Sequence, residues 1–121
     1  MLLAEDADMN ALMVQGLLKK MGITDCTWVK NGHEVLAAVH QQDFDLVLMD
    51  LHMPEMGGIE ATQQIRKLER FKLLPIVALT AAVSAEDRVN CMAAGMNDFL
   101  SKPIRYENLM EMIKRWGGNL V

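Results

Sequence analysis

Asp50 is the carboxylate around which chemistry can be built in this chain. It follows an unbroken apolar run, residues 46–49, and precedes a segment rich in Pro and Gly. Such a run is typical of a strand buried on both faces of a parallel sheet. A carboxylate at the end of that strand lies at the carboxyl edge, where open α/β folds bind ligands. Taken alone, Asp50 could instead cap the turn that follows it.

Other polar groups also stand at predicted strand ends. Glu5 and Asp6 follow the apolar residues 2–4, Thr80 follows residues 76–79, and Lys102 follows residues 99–101. Three carboxylates at one edge repel one another unless a cation lies between them. A set of oxygen ligands completed by water suits a hard divalent ion, above all Mg²⁺. The acidic pair alone would be explained as a solvated loop in which Asp6 or Asp8 caps the next helix.

A metal ion, a carboxylate, a hydroxyl and an ammonium together match the requirements of phosphoryl transfer. In this assignment Asp50 is the nucleophile and forms an aspartyl phosphate. Asp6 holds Mg²⁺ directly, and Glu5 holds it directly or through water. Thr80 hydrogen-bonds one phosphoryl oxygen and Lys102 pairs with another. Taken singly, Thr80 could be a hydroxyl bonded to backbone and Lys102 a surface lysine.

Short apolar runs alternate with amphipathic stretches along the whole chain, which predicts an α/β fold with a doubly wound, five-stranded parallel sheet and helices on both faces. The expected strand order is the flavodoxin-like 2-1-3-4-5, in a single domain spanning residues 1–121. The first helix is expected over about residues 8–21, with its methionines as core filler. Two helical stripes are expected to face the core: Met9, Met13, Leu17 and Met21 in the first helix, and Val89, Met92 and Ala93 in the fourth.

Composition limits the function classes. The 121 residues carry a net charge of −4, which argues against direct binding of nucleic acid. No apolar stretch is long enough to span a membrane, and no secretory leader is visible, so a cytoplasmic location is expected. Cys26 and Cys91 are far apart and are interpreted as isolated, buried thiols.

Four segments, taken together, resemble the receiver domain of two-component response regulators and hybrid sensor kinases: residues 2–6, 45–58, 76–81 and 94–104. The resemblance is strongest to receivers of hybrid sensor histidine kinases. A chain that begins inside its first strand also suggests a domain taken from a longer protein. The resemblance implies a phosphoacceptor domain rather than an enzyme, with a histidine kinase or histidine-phosphotransfer domain as partner. That partner is expected along the Met-rich first helix.

The resemblance also implies a role for individual residues. Asp50 corresponds to the phosphoacceptor, Glu5 and Asp6 to the metal-binding acidic pair, Thr80 to the switch hydroxyl and Lys102 to the family's lysine. The backbone carbonyl of His52 corresponds to a further metal ligand, and Phe99 to an aromatic that turns inward as Thr80 moves. The Lys102–Pro103 peptide is expected to be cis.

Two positions bear on how well the site works. Ala7 stands where the hybrid branch frequently has Asn, which could change metal affinity. Ala82, two residues beyond Thr80, has no polar group to orient an attacking water, so we expect slow intrinsic dephosphorylation. The His52 side chain could also influence water near the acyl phosphate, or have no role.

Three other functions fit this fold. An FMN carrier needs a phosphate-binding loop after the first strand, whereas this loop is acidic. A Mg²⁺-dependent aspartyl phosphatase usually has a carboxylate two residues after its nucleophile, where His52 stands here. A phosphorylation-independent interaction module of the same fold would not need the five site residues.

Overall fold

A computed structural model of the chain describes residues 1–81 and 84–118. Within these ranges five strands alternate with five α-helices. The strands are β1 (Leu2–Ala4), β2 (Thr27–Val29), β3 (Val47–Asp50), β4 (Ile76–Thr80) and β5 (Asp98–Ser101). The helices are α1 (Asp8–Lys20), α2 (Gly32–Gln41), α3 (Gly58–Arg66), α4 (Ala85–Ala94) and α5 (Tyr106–Trp116). A 3₁₀ turn, Glu69–Phe71, joins α3 to β4. No helix in these ranges has the length and apolar character needed to cross a bilayer.

The five strands form one parallel sheet in the order β2-β1-β3-β4-β5, which confirms the predicted fold and strand order. Ala4 of β1 pairs with Met49 of β3, so the segments that follow β1 and β3 leave the sheet side by side. Thr80 pairs with Ser101 at the ends of β4 and β5. Because the strands are parallel, all of these ends lie along one edge.

Side chains alternate between the two faces of the sheet and build two separate cores. On one face Leu3, Leu48 and Leu100 pack with residues of α1 and α5, including Val14, Leu18, Leu109 and Ile113. On the other face Ala4, Met49 and Ala78 pack with residues of α2, α3 and α4, including Val35, Ile65 and Cys91. The central strands β1 and β3 are buried throughout, which is why they read as continuous apolar runs.

The prediction that Met9, Met13, Leu17 and Met21 face the core is wrong for the first half of α1. Met9 is 77% exposed and Met13 48% exposed, whereas Leu17 and Met21 are partly buried against the core. Four-residue steps advance by about 40° beyond a full turn, so a strict i, i+4 line winds off the buried face. The buried line of α1 is instead Ala11, Val14 and Leu18, which alternates steps of three and four.

The predicted inner face of α4 is wrong as well. Val89 is 65% exposed and Met92 53% exposed, and Ala93 is exposed as well. The residues that α4 buries are Cys91 and Ala94, one helical step of three apart. The side chains that α4 buries are therefore small, and its larger apolar side chains face outward.

The ends of the helices differ from prediction in one place. Neither Asp6 nor Asp8 caps α1: its N-cap is Ala7, without a side-chain hydrogen bond, and Asp8 in the first turn forms an ion pair with Lys30 at 2.9 Å. Ser84 caps α4 as part of a reciprocal capping box with Asp87.

Arg66, at the end of α3, joins three further segments through hydrogen bonds. Its Nε donates to the carbonyl of Gly95 at 2.9 Å, and its Nη1 donates to the carbonyl of Phe71 at 2.6 Å. Its Nη2 donates at 2.9 Å to Oδ1 of Asn97, which also accepts the backbone N–H of Ile76 at 2.8 Å. Gly95 ends α4 in the left-handed conformation, φ 109°, and a side chain there would collide with Arg66. This network fixes the C-terminal end of α4 relative to α3 and β4.

The two cysteines are free thiols, and Cys91 is buried whereas Cys26 is only partly so. Burial raises the pKa of both thiols above the ordinary value. A raised pKa reduces the fraction of reactive thiolate at neutral pH, which argues against cysteine chemistry.

Candidate functional site

The alternation of side chains explains how three of the site residues meet. Glu5, Asp50 and Lys102 each stand two residues beyond a leucine of the core beneath α1 and α5, namely Leu3, Leu48 and Leu100. Since side chains two apart in a strand share a face, all three continue on the α1 side of the carboxyl edge. Thr80 and Phe99 face the other side of the sheet. Thr80 stands two residues beyond Ala78, whose side chain lies in the core beneath α4, and Phe99 packs against the same core.

Asp50 is the last residue of β3 and is 5% exposed. Its Oδ1 accepts the backbone N–H of His52 at 3.3 Å. The start of α3 is packed directly against its backbone, because a Cβ placed on Gly58 would collide with the carbonyl oxygen of Asp50. Glycine at position 58 is therefore what lets α3 begin so close to the end of β3.

Glu5 is 1% exposed, which is unusual for a carboxylate, and it is held from several directions. Its Oε2 accepts the backbone N–H of Ala7 at 3.2 Å, and its own N–H donates to the carbonyl of Val29 at 3.0 Å. Its backbone carbonyl accepts the indole N–H of Trp28 at 2.7 Å. Both the side chain and the backbone of Glu5 are thus fixed.

Lys102 lies between the two buried carboxylates. Its Nζ is 2.8 Å from Oε1 of Glu5 and 3.1 Å from Oδ2 of Asp50. Burial by itself lowers the pKa of Lys102, but hydrogen bonds and charge attraction from Glu5 and Asp50 outweigh burial, and the net pKa lies above its ordinary value. Lys102 therefore carries its charge at neutral pH. The expected cis peptide between Lys102 and Pro103 is present.

The third carboxylate completes a cluster. Asp6 is exposed, and one carboxylate oxygen from each of Glu5, Asp6 and Asp50 lies within 4.8 Å of the other two. Three carboxylates against one ammonium leave a formal excess of two negative charges. An oxygen-only donor set with that excess fits a hard divalent cation such as Mg²⁺. The three predicted carboxylates are therefore brought together in an arrangement suited to the metal.

Thr80 and Phe99 lie on the two strands farther along the same edge. Thr80 is 4% exposed and ends β4, and its carbonyl accepts the backbone N–H of Lys102 at 2.9 Å. Phe99 is partly buried on the α4 side of the sheet. The guanidinium carbon of Arg88 on α4 lies 4.6 Å from the centre of the Phe99 ring, in a cation–π contact.

The roles of the site residues remain predictions, including those of His52 and Ala82. The backbone N–H of His52 contacts Asp50, as described above, whereas a metal-ligand role for its carbonyl stays an expectation. Its side chain is exposed. Ala82, from which slow dephosphorylation was inferred, lies outside the described residues.

Sequence reasoning missed two groups that hold Glu5. One is the indole of Trp28, since its contact depends on how β1 and β2 are aligned, and no local pattern reveals that register. The other is the backbone N–H of Ala7, for which the side chain gives no signal. Ala7 stands where the hybrid branch frequently has Asn, yet its backbone N–H still holds the Glu5 side chain.

Comparisons with known proteins agree with this arrangement. A family model described as the response regulator receiver domain matches residues 1–114. Among solved structures, the receiver domain of sensor histidine kinase PA1611 from Pseudomonas aeruginosa PAO1 matches with a TM-score of 0.89 and 37% identity, covering 98% of this chain and 96% of that chain. That structure has a magnesium ion coordinated in its active site cleft. The chemotaxis protein CheY4 of Vibrio cholerae matches with a TM-score of 0.88 and 30% identity, covering 95% of each chain.

Curated relatives are much longer proteins. Sensor protein GacS of Pseudomonas syringae pv. syringae is 42% identical over 120 residues, which are 97% of this chain and 13% of that protein. The signal transduction histidine-protein kinase BarA of Shigella flexneri is 34% identical over 112 residues, 93% of this chain and 12% of that protein. The chain thus spans about an eighth of each of these relatives. On the family match and these identities, the chain belongs to the response regulator receiver domains, the receiving modules of two-component signalling.

Proposed function

We propose that this receiver domain accepts a phosphoryl group on Asp50 from a phosphohistidine, in a Mg²⁺-dependent reaction. The observation that supports the proposal is the convergence of the carboxylates of Glu5, Asp6 and Asp50, two of which, Glu5 and Asp50, contact the ammonium of Lys102. An FMN phosphate would meet an excess of negative charge at this edge, so the flavodoxin-type alternative is disfavoured.

Each residue of the chain has a distinct task in this proposal. Asp50 attacks phosphorus through a carboxylate oxygen, the bond between phosphorus and the donor nitrogen breaks, and an aspartyl phosphate forms. Bound Mg²⁺ would supply neutralisation of charge on the phosphoryl oxygens, and Glu5 and Asp6 would hold it with Asp50 and the carbonyl of His52. Lys102 is already in contact with Asp50 and can pair with a phosphoryl oxygen as the group arrives.

The signal would pass from Asp50 to the face formed by β4, α4 and β5. The Thr80 hydroxyl would turn toward a phosphoryl oxygen, and Phe99 would move inward into the space that becomes available. The Arg88 guanidinium now covers the Phe99 ring, so inward rotation of the ring would break that contact and alter the surface of α4. The phosphoryl group thereby biases a two-state equilibrium.

Phosphorylation by a small donor tests the chemistry directly. Intact protein incubated with acetyl phosphate and Mg²⁺ is expected to gain one phosphoryl group, roughly 80 daltons by mass spectrometry. Asp50→Asn should abolish the adduct, whereas Asp45→Asn, an exposed carboxylate just before the same strand, should retain it. An adduct of equal yield on Asp50→Asn would contradict the proposal. If Asp50→Asn left the affinity for the partner unchanged, the result would favour a phosphorylation-independent interaction module.

The partner surface proposed is the exposed apolar patch of α1, formed by Met9, Leu12 and Met13. An apolar crevice next to Met13 is also lined by Lys102 and Ile104, so the patch is continuous with the phosphoacceptor site. A helix of a histidine kinase or histidine-phosphotransfer domain seated there would bring its phosphohistidine to Asp50. Within a hybrid kinase such as those matched, that partner would be a neighbouring domain of the same protein or a separate protein.

A change of donor separates docking from chemistry. Leu12→Lys is expected to slow phosphotransfer from a phosphorylated histidine-phosphotransfer domain at least tenfold while leaving the rate with acetyl phosphate unchanged. Leu73→Lys is the matched control, because Leu73 is 93% exposed in the loop before β4, at the other edge of the sheet. Equal transfer rates for the two variants would exclude this part of α1 as the docking surface.

A further inference from the structure

Trp28 holds the backbone at the acidic pair from the neighbouring strand. Its Nε1 donates to the carbonyl oxygen of Glu5 at 2.7 Å, across 23 residues of sequence. The N–H of Glu5 donates at 3.0 Å to the carbonyl of Val29, the last residue of β2. Both backbone polar groups of Glu5 are thus bound by β2, one through the regular ladder and the other through a side chain.

The acceptor in this contact has a special position. The carbonyl of Glu5 belongs to the peptide unit that joins Glu5 to Asp6, and a peptide unit is planar and rigid. Fixing that oxygen therefore fixes the plane from which the two neighbouring carboxylates project. Glu5 is buried and also held by Lys102. Asp6 is exposed, and within the described ranges its side chain forms no hydrogen bond or ion pair. The orientation of Asp6 thus depends strongly on the peptide that precedes it.

The indole is itself kept in place. The ring of Trp28 is partly buried against the core beneath α1 and α5. Lys30 Nζ lies 5.1 Å from the ring centre and 2.9 Å from Oδ1 of Asp8, in the first turn of α1. Both charged groups are largely exposed, so their ion pair adds little stability, but it covers the outer side of the ring. The donor is consequently pre-oriented toward the carbonyl of Glu5.

We propose that Trp28 is a positioning residue for the divalent-ion site, and that its indole N–H raises metal affinity by orienting the Glu5–Asp6 peptide. This inference rests on the proposed function, since it assumes that Glu5 and Asp6 hold the metal. In this role Trp28 would act through the Glu5–Asp6 peptide and not as a ligand of the metal or of the phosphoryl group. Its effect is that of a supporting hydrogen bond behind a ligand, a kind of contact known to tune metal affinity.

The test measures metal binding without any phosphoryl transfer. Mn²⁺ prefers the same oxygen ligands, and free Mn²⁺ can be counted by electron paramagnetic resonance during titration of each variant. Trp28→Phe keeps a ring but removes the donor, and we expect its Kd for Mn²⁺ to rise about three- to tenfold. Trp116→Phe is the matched control: it also removes an indole donor, here bonded to Asp98 at 3.1 Å at the start of β5, and its Kd should equal that of the wild type.

A second measurement does not depend on the folding of Trp28→Phe. In Trp116→Phe protein labelled with ¹⁵N, the remaining indole N–H signal belongs to Trp28. We expect that signal to shift on addition of Mg²⁺ and to saturate at the Kd found in the same variant. An indole N–H that is not coupled to the metal site would keep its signal unchanged.

The outcomes separate the two proposals. Mn²⁺ binding by the wild type together with equal Kd values for Trp28→Phe and Trp116→Phe would overturn the positioning role and leave the proposed function intact. An indole signal that does not shift on addition of Mg²⁺ would also overturn the positioning role, and this result holds even if Trp28→Phe fails to fold. Absence of Mn²⁺ binding by the wild type would overturn the metal site, and the role of Trp28 with it.

Discussion

Asp6→Asn provides the sharpest test of the charge balance in the site. Asp6 is exposed, so the substitution removes one negative charge without disturbing the core. In the absence of divalent ions the charge on Asp6 is repelled by Glu5 and Asp50, and its removal should stabilise the fold. In the proposed metal site the same carboxylate would be a ligand for Mg²⁺, and its removal should weaken the binding that stabilises the wild type. The two effects have opposite signs.

The magnitudes follow from the separation of the carboxylates. At 4.8 Å, the outer limit of the cluster, two unit charges in a water-like dielectric repel by about 0.9 kcal/mol. Asp6 faces two such charges, and Lys102 offsets part of the repulsion, so the expected gain in unfolding free energy is about 1 kcal/mol. Mg²⁺ at ten times its Kd would stabilise the wild type by about 1.4 kcal/mol and the variant by much less. Saturating metal should therefore reverse the order of stability.

Urea unfolding followed by circular dichroism, with and without Mg²⁺ at constant ionic strength, measures both effects. Asp43→Asn is the control, because it removes the same charge from an exposed position in the loop between α2 and β3. The control should leave the Mg²⁺ dependence of the wild type unchanged. If Asp6→Asn were stabilised by Mg²⁺ as strongly as the control, or were less stable than the wild type without metal, the charge balance described here would be refuted.

Three further predictions concern residues that hold the site and α4 in place. Lys102→Met should lower the unfolding free energy by about 3 kcal/mol at pH 7, as measured by urea unfolding. Because the pKa of Lys102 is raised in the fold, this difference between variant and wild type should shrink as the pH rises beyond the ordinary value of 10.5. Gly58→Ala should cost about 2 kcal/mol, since its Cβ meets the carbonyl of Asp50, whereas Gly16→Ala, with open space around it in α1, should stabilise by about 0.5 kcal/mol in the same assay. Arg66→Met should lower the thermal midpoint by an amount equivalent to about 2 kcal/mol, because it removes the hydrogen bonds that anchor α4, and a midpoint within 1 °C of the wild type would contradict that anchoring.

Much of the site could be predicted because a parallel sheet converts sequence position into spatial position. Once the apolar runs before Glu5, Asp50, Thr80 and Lys102 are taken as parallel strands, their carboxyl ends must share an edge. The strand order then places the first and third ends side by side. Two of these strands end one residue beyond their apolar runs, β3 at Asp50 and β4 at Thr80, and β5 begins one residue earlier than expected, at Asp98. The shift does not alter which residues meet.

The helix faces were less predictable. Spacing alone does not say which of two apolar lines on α1 faces the sheet, because Met9, Leu12 and Met13 are as apolar as the residues that are buried. The choice is made by packing: close contact between helix and sheet favours a small residue such as Ala11, and the larger side chains remain outside. The same selection leaves Val89 exposed on α4. The core does not accommodate all of the apolar residues of these helices. Those that stay exposed therefore indicate surfaces for partners.

In the proposed function, the alternation of side chains between the two faces would allow one sheet both to accept a phosphoryl group and to report it. Glu5, Asp50 and Lys102 continue the face beneath α1 and α5, whereas Thr80 and Phe99 continue the face beneath α4. A phosphoryl group on Asp50 would lie beyond the strand ends, where the two faces are no longer separated by the sheet. Thr80 could reach it from the α4 side, and because Arg66 anchors only the C-terminal end of α4, a response there should be concentrated toward the N-terminal end, near Arg88. Chemistry on one face would thus be read on the other without any rearrangement of the strands themselves.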